Sequence, residues 1–394
     1  MPGKKIDIGF LINPFYLYSI SFILAILFYQ LQWSNQFPAL SISLLFFMGL
    51  TFLILIPFGS KLNDYLKIRP NTEVPGKIFD FIFAVIVLLG IISIAVRGYV
   101  PILKSDFNYH RFGIRYLYFF FNSLSIFFSV HYFCIFLEHK KAKFLVYLII
   151  LIILLVAVYS RYALFLCLFS CLFVFVLFKR KLPVLYIVFA IIAFLASIYL
   201  FGYLGNKRSR FESSYILHDL GASSTYVKRS SDINLYMTYL YITSPLANLQ
   251  KNIDHSKGFS NNNDLKEFVF YSLIPWNITS RLYDRVNLHS QDYSLVNKDL
   301  IVGTYYMRGF YNLGWTGMIL LTLIFIGFVL FSTWISSKNP QFKMTSIALL
   351  STVSSLLIFD NFMIKPDVLF MLFIYPFAFS KLQTLEYSLR KTLK

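Results

Sequence analysis

Charge is what this chain has least of. Charged residues make up 14% of its 394 positions, against roughly a quarter in an ordinary soluble domain. With 58% hydrophobic residues, too little polar side chain remains to solvate a globular surface, so a soluble protein is excluded and a membrane protein is implied. Cysteine is nearly absent: Cys134, Cys167 and Cys171 all fall inside apolar runs, which excludes a disulfide framework and reads as small apolar filler. No GxxxxGK[ST] loop and no Rossmann glycine pattern occurs, and the longest inner polar segment, about residues 59–77, is too short for a nucleotide-binding domain. Chemistry fed by ATP or by a nucleotide-sugar donor is therefore not expected. There is no Asp-x-Asp pair and no His/Cys cluster, and the six histidines are scattered, so neither a metal nor a cofactor is expected.

What the chain does have is apolar runs. A helix needs about 20 mostly apolar residues to cross a bilayer, fewer where its ends snorkel. Ten stretches qualify, roughly 14–31, 38–58, 78–96, 116–137, 144–158, 162–178, 183–203, 313–335, 345–360 and 367–380. The expected fold class is an all-α polytopic integral membrane protein of about 10 transmembrane helices. The fifth and sixth runs are short, yet joined they are too long for one span at about 1.5 Å per residue. They read as a tight hairpin with Arg161, in YSRYALFL, at its tip.

Basic residues orient the bundle. With the N-terminus inside, the inner segments carry 18 of them, whereas the short outer loops carry six: Arg97, Lys104, Arg111, Arg115, Arg161 and Lys365. That asymmetry places both termini in the cytoplasm. The first run follows Lys4 and Lys5 but has no small-residue cleavage site after Leu31, and it is expected to stay as an uncleaved span. Nucleic acid is excluded as a partner despite the net charge of +18, because half of the basic residues serve topology and the rest are dispersed.

The expected organisation is transmembrane helices 1–7 over residues 1–203, a large outer loop over 204–312, and helices 8–10 with a cytoplasmic tail over 313–394. Loops as long as the central one are usually functional. Two stretches inside it, 235–250 (LYMTYLYITSPLANLQ) and 266–276 (KEFVFYSLIPW), are apolar but short and interrupted by Pro245 and Pro275. They suit either helices lying in the membrane interface, with Trp276 and the tyrosines at headgroup level, or a lid packed over the spans. Asn277-Ile278-Thr279 is a glycosylation sequon of the kind that arises by chance.

Arginine recurs near the outer membrane surface. Arg97, Arg111 and Arg115 flank the third and fourth runs, Arg161 caps the hairpin, Lys207, Arg208 and Arg210 follow the seventh run, and Arg308 precedes the eighth. Guanidinium groups bind phosphate oxygens bidentately and stay charged at any relevant pH. They suit a lipid pyrophosphate, whose growing negative charge fixed cations must stabilise when its bond to an anomeric carbon breaks without a metal. They equally suit anionic headgroups of the surrounding bilayer.

Four stretches resemble the O-antigen polymerases of the Wzy type, which polymerise oligosaccharide repeat units of bacterial surface polysaccharides. RGYVPILKSDFNYHRFGIR (97–115) is similar to that family's Gly-x-x-Pro-Leu segment and following arginine, SRYAL (160–164) to its Ser-Arg hairpin, YLYITSPLANLQ (239–250) to its Tyr-x-x-Ser-Pro segment, and GTYYMRGFYNLGWTG (303–317) to its entry to the span after the large loop. The resemblance implies a GT-C-like membrane glycosyltransferase in the bacterial inner membrane with a periplasmic site. Donor and acceptor would be undecaprenyl-pyrophosphate-linked oligosaccharides, and a chain-length regulator would be a partner. Carried over by position, it points to Arg161 and to Arg208 and Arg210.

On this reading Arg111 and Arg161 hold pyrophosphate, Arg208, Arg210 and Arg308 join them, and the aromatics of 235–276 pack on sugar and lipid. The acceptor hydroxyl needs a general base, for which His218 is favoured in the large loop, followed by Asp219, Asp284 and His289. An O-antigen ligase would share the architecture. A lipid-linked oligosaccharide flippase would show internal repeats and mid-span ionisable residues, of which His131 is the main example here. A non-catalytic scaffold would depend on no single arginine.

The topology is testable directly. Alkaline phosphatase fused after Ser231 should be active and a fusion after Asn63 inactive, with green fluorescent protein fusions giving the opposite pattern. Activity at Asn63 would overturn the orientation.

Overall fold

The computed structural model describes residues 5–67, 76–103, 114–158, 160–183, 213–255, 265–289 and 291–392, with scattered positions between 188 and 206. Among them the chain is almost wholly helical. The helices are α1 (Pro14–Tyr29), α2 (Ile42–Lys67), α3 (Lys77–Ala95), α4 (Arg115–His139), α5 (Ala142–Ala157) and α6 (Arg161–Lys179). There follow α7 (Ser213–His218), α8 (Ser224–Arg229), α9 (Ile233–His255), α10 (Leu265–Ser272), α11 (Trp276–Leu282), α12 (Met307–Lys338) and α13 (Lys343–Leu356). The last are α14 (Pro366–Leu369) and α15 (Tyr375–Thr392), joined by one π turn, Phe370–Ile374. One ribbon of two three-residue strands, β1 (Lys5–Asp7) and β2 (Lys181–Pro183), pairs antiparallel.

Every expected apolar run except 183–203, which lies largely outside the described residues, coincides with helix. Among the described residues, six helical stretches are long and apolar enough to cross a membrane: α2, α3, α6 from Tyr162, α12, α4 from Tyr116, and Pro366–Leu385. Helices α1 and α5 are apolar but shorter. The protein is a multi-pass membrane protein, and helix is the form such runs must take, since lipid offers their peptide groups no partner.

The helices sort into two ends. At the basic end, β1 meets β2, Lys143 pairs with Asp80 at 2.9 Å, and Lys343 Nζ donates to the Tyr65 carbonyl at 3.1 Å. These contacts gather the end of α2, the starts of α3, α5 and α13, and the end of α6. At the opposite end, Ser223 N–H bonds to the Trp33 carbonyl, Tyr305 N–H to the Leu357 carbonyl, and Ser41 N–H to Gln250 Oε1. This loop end carries α7–α11.

The centre is unusually polar. In α4 72% of the apolar stretch is buried, against 28–39% in the other five, so α4 is an inner helix and the rest present much of their surface to lipid. Beside it lies α13, whose sequence KMTSIALLSTVSSL is buried almost throughout. Its hydroxyls stitch the bundle: Thr345 to His131 Nδ1 at 3.1 Å, Thr352 to Ser170 at 2.8 Å, and Ser351 donating to the Ile12 carbonyl at 2.5 Å. Interhelical bonds of this kind contribute about 0.5–1 kcal/mol each in a membrane.

Asn13 joins the first two helices. Its Oδ1 accepts from Phe15 N–H and caps α1, with Pro14 at the first position, while its Nδ2 donates to the Gly59 carbonyl at 2.7 Å and to Asn63 Oδ1 at 2.8 Å. Gly59 is required for that approach, because a Cβ there would stand 2.2 Å from the Tyr16 ring. Replacing Asn13 by Ala removes the cap and both side-chain bonds to α2. It should cost about 1–3 kcal/mol, read as an earlier midpoint in detergent-solubilised thermal unfolding, while Ala at exposed Asn35 should leave the midpoint in place.

Candidate functional site

Helix α12 begins with a bent turn. Gly314 sits at φ 58°, ψ −140°, in the left-handed half of backbone space, and a Cβ on Gly317 would stand 2.1 Å from the Gly309 carbonyl oxygen. Only glycine tolerates both demands. The bend separates Met307–Leu313 from the spanning part of the helix, and that first segment carries Arg308.

Arg308 meets the turn between α13 and α14. Its Nη1 donates to the Tyr271 carbonyl at 3.2 Å, and its Nη2 lies 3.8 Å from Asp360 Oδ1. Lys365 Nζ lies 3.5 Å from Asp360 Oδ2, so one carboxylate stands between two cations. All three side chains are about a third exposed. Pairs this wet contribute little to stability, and a second carboxylate, Asp367, also acts on Lys365. Phe362 and Tyr162 frame Lys365, whose Nζ lies 3.7 Å and 4.7 Å from their ring centres. Tyr162 is the second residue of α6, so the start of the helix headed by Arg161 borders this cluster. Asn361 Nδ2 donates to the Ser272 carbonyl at 2.7 Å and fixes the turn against α10.

A histidine and a carboxylate adjoin the cations. Glu267, on α10, is 4% exposed, and its Oε1 accepts from the His289 backbone N–H at 3.0 Å and lies 2.6 Å from His289 Nδ1. The His289 side chain is 82% exposed. With Nδ1–H directed at the carboxylate, Nε2 is the open basic position. Tyr271, one helical turn after Glu267, connects both parts: its hydroxyl donates to the His289 carbonyl at 2.5 Å and its own carbonyl accepts from Arg308. Burial, reinforced by Tyr283 and Glu267, pushes the Tyr271 phenol up to about 12, so it remains a donor. Gln291 Nε2 donates to Asn312 Oδ1 at 2.9 Å, and its Oε1 accepts from the Tyr293 hydroxyl.

The chain leading from there to α12 is irregular, turning at Asn297–Leu300, and is held by side chains of α9. Asn248 Nδ2 donates to the Leu300 and Val302 carbonyls and its Oδ1 accepts from Val296 N–H. One turn on, Asn252 bonds both the N–H and the carbonyl of Ser294, and Lys251 Nζ donates to the Leu295 carbonyl.

Of the residues expected from sequence, Arg308 lies in this cluster and the backbone of Arg161 opens the helix beside it. The Arg161 side chain, Arg111, Arg208 and Arg210 lie outside the described residues. His218 and Asp219 are exposed at the end of α7 and face each other at 3.0 Å. The Asp219 carbonyl accepts from Gln36 and Asn297, and no described contact joins the pair to Arg308. Asp284 is exposed on the turn after α11. Tyr236 and Tyr239 are buried against Trp33 and Tyr226, which removes them from a sugar-facing role and makes α9, helical through Pro245, a lid on the bundle. Thr279 of the sequon is buried, its hydroxyl donating to the Phe270 carbonyl. Sequence reasoning missed Glu267 and Asp360. The signals were a lone carboxylate in the apolar stretch KEFVFYS and the acid that shares the last outer loop with Lys365.

Comparison of the chain with family models, with curated proteins and with solved structures gives no match.

Asn248 holds three peptide groups at once, so Asn248→Ala should expose them together. Hydrogen exchange at the Val296 amide should accelerate by about 10-fold or more, the equivalent of one to two lost bonds, with exchange in α4 unchanged. Unaltered protection at Val296 would show that the segment is held by other contacts.

Proposed function

We propose that the protein is a glycosyltransferase that polymerises undecaprenyl-pyrophosphate-linked oligosaccharide repeat units on the periplasmic face of a bacterial inner membrane, as in the O-antigen polymerases. Its bundle would be GT-C-like with about ten spans. The observation that carries the reading is the joining, through Tyr271, of the Arg308–Asp360–Lys365 cluster to the Glu267–His289 pair, beside the start of the Arg161 helix.

In the proposed reaction the acceptor sugar hydroxyl attacks the anomeric carbon at the reducing end of the growing glycan. The bond from that carbon to the pyrophosphate oxygen breaks, and the electron pair leaves with the lipid pyrophosphate. His289 Nε2 takes the hydroxyl proton, and Glu267 steadies the imidazolium that forms. Arg308 and Lys365 stabilise the charge growing on the pyrophosphate, with Asp360 holding both in place until the anion arrives. Arg161, Arg111, Arg208 and Arg210 supply further guanidinium groups from segments that the sequence places on the same side. No nucleotide or metal enters the scheme.

The experiment is the surface-polysaccharide ladder of a deletion strain carrying the wild-type protein, Arg308→Lys, Arg308→Gln, Arg161→Ala, Arg161→Lys or His289→Ala, with membrane levels measured alongside. The expected deletion phenotype is lipid core bearing one repeat unit. Arg308→Gln and His289→Ala should each slow polymerisation by about 100-fold or more at unchanged protein level, and lysine at either arginine should rescue poorly because it lacks the bidentate fork. Bare core with polymer left on its carrier would make the protein a ligase. A normal ladder in the deletion strain would sink the proposal.

A further inference from the structure

Helix α11 carries an outward face that the proposed reaction does not use and that meets the bundle through Arg281. Ile278, Arg281, Leu282 and Arg285 follow at intervals of three, one and three residues, which stacks them on one side of a helix. The register continues past Leu282, since the Val286 N–H still bonds to the Leu282 carbonyl at 2.9 Å. The rotation of α11 is fixed from the other side by Thr279, which is fully buried with its hydroxyl on the Phe270 carbonyl at 2.7 Å. Ile278 is consequently turned outward and 47% exposed, and Arg281 and Arg285 are exposed beside it.

The height of this face is given by its contact with a spanning helix. Arg281 Nη2 donates to the Tyr116 hydroxyl at 2.5 Å, and Tyr116 stands in the first turn of α4, where that helix enters its apolar stretch. Ile114, Tyr116 and Phe120 are exposed large side chains on the same part of α4, and on a spanning helix they face lipid. The exposed surface of α11 thus continues the lipid-facing surface of α4 at its rim, the level at which tyrosine and tryptophan settle. Trp276, exposed at the start of α11 and stacked near Tyr271, belongs to the same rim. Two aliphatic side chains with two guanidinium groups alongside are the composition of a helix lying in the interface, its apolar atoms in the headgroup–acyl boundary and its charges on phosphate.

We propose that this face of α11 rests on the bilayer, Ile278 and Leu282 dipping below the headgroups and Arg281 and Arg285 bonding the phosphates of anionic phospholipid. The contact needs only the multi-pass membrane fold and is independent of the proposed glycosyl transfer. It would fix the depth of the α10–α11 corner relative to the membrane.

The test uses the full-length protein in nanodiscs made of equal parts phosphatidylethanolamine and phosphatidylglycerol, with nitroxide labels on single cysteines placed at Ile278, Ser280, Leu282 and Phe120. The unsubstituted chain serves as the labelling background for Cys134, Cys167 and Cys171. Labels at Ile278→Cys and Leu282→Cys should collide with oxygen and be shielded from a water-soluble nickel chelate to nearly the extent of Phe120→Cys, whereas Ser280→Cys should collide freely with nickel. In Arg281→Gln/Arg285→Gln the label at position 278 should regain nickel accessibility, and nanodiscs of phosphatidylcholine alone should have the same effect on the native pair. Nickel accessibility at 278 and 282 equal to that at 280 would overturn the membrane contact. Shielding from oxygen and nickel together would overturn it in favour of a protein partner or a second copy. Shielding indifferent to both arginines and to lipid charge would overturn the phosphate bonding.

Discussion

A peptide group shut away from water must find a partner in the protein, and at the loop end that requirement is met by two asparagines. Between Ser294 and Val302 the chain is irregular, with a turn closed by the Leu300 N–H on the Asn297 carbonyl, and Asn248 and Asn252 supply partners that regular structure would otherwise give it. Much follows from this. The clamped segment delivers Gln291 to Asn312 at one end and Tyr305 to the Leu357 carbonyl at the other. Those two attachments seat the first turn of α12, and Arg308 with it, against the turn that carries Asp360 and Lys365. Helix α9 is accordingly buried on nearly all sides, since it braces the segment while covering α1 and α12.

The cluster so assembled is stable for reasons unrelated to its charges. Its ion pairs are long and wet, at 3.5 Å and 3.8 Å, and such pairs hold little. The geometry comes from the neutral groups around them: Asn361 on the Ser272 carbonyl, Tyr271 between His289 and Arg308, and the rings of Phe362 and Tyr162 under Lys365. The frame of the cluster therefore does not depend on its ion pairs. Glu267 follows the opposite rule. It is buried with two donors on one oxygen, which makes it a fixed support for the exposed imidazole.

The spans were legible in the sequence because hydropathy over a run of residues is a local property; 78–96 and 162–178 matched their helices to within a residue or two. The hairpin near Arg161 was legible for the same reason, since two short runs with no loop leave no other arrangement. Arg308 could be flagged from its position before a span. Its partners could not, because Asp360 is 52 residues away in the chain and only the packing of α12 against the α13–α14 turn brings them together. On paper His218, with Asp219 next to it in sequence, is favoured over His289. The fold separates them: His218 has exposed Asp219 beside it, whereas His289 has buried Glu267 from another helix. Pro245 suggested an interruption in LYMTYLYITSPLANLQ, yet α9 runs through it, the neighbouring helices supplying the support that an isolated segment lacks.

The bend at Gly314 divides α12 into two pieces with separate duties. The part after it, ending at Lys338, is sized by the thickness of the bilayer; the part before it is sized by the reach of Arg308 to Asp360. Because the backbone leaves helical geometry at Gly314, the facing of Arg308 does not follow the one-residue phase steps of a regular helix. A straight helix would turn the cation by about 100° for every such step. Arg308 thus takes its facing from the bend, not from the helical phase of the span.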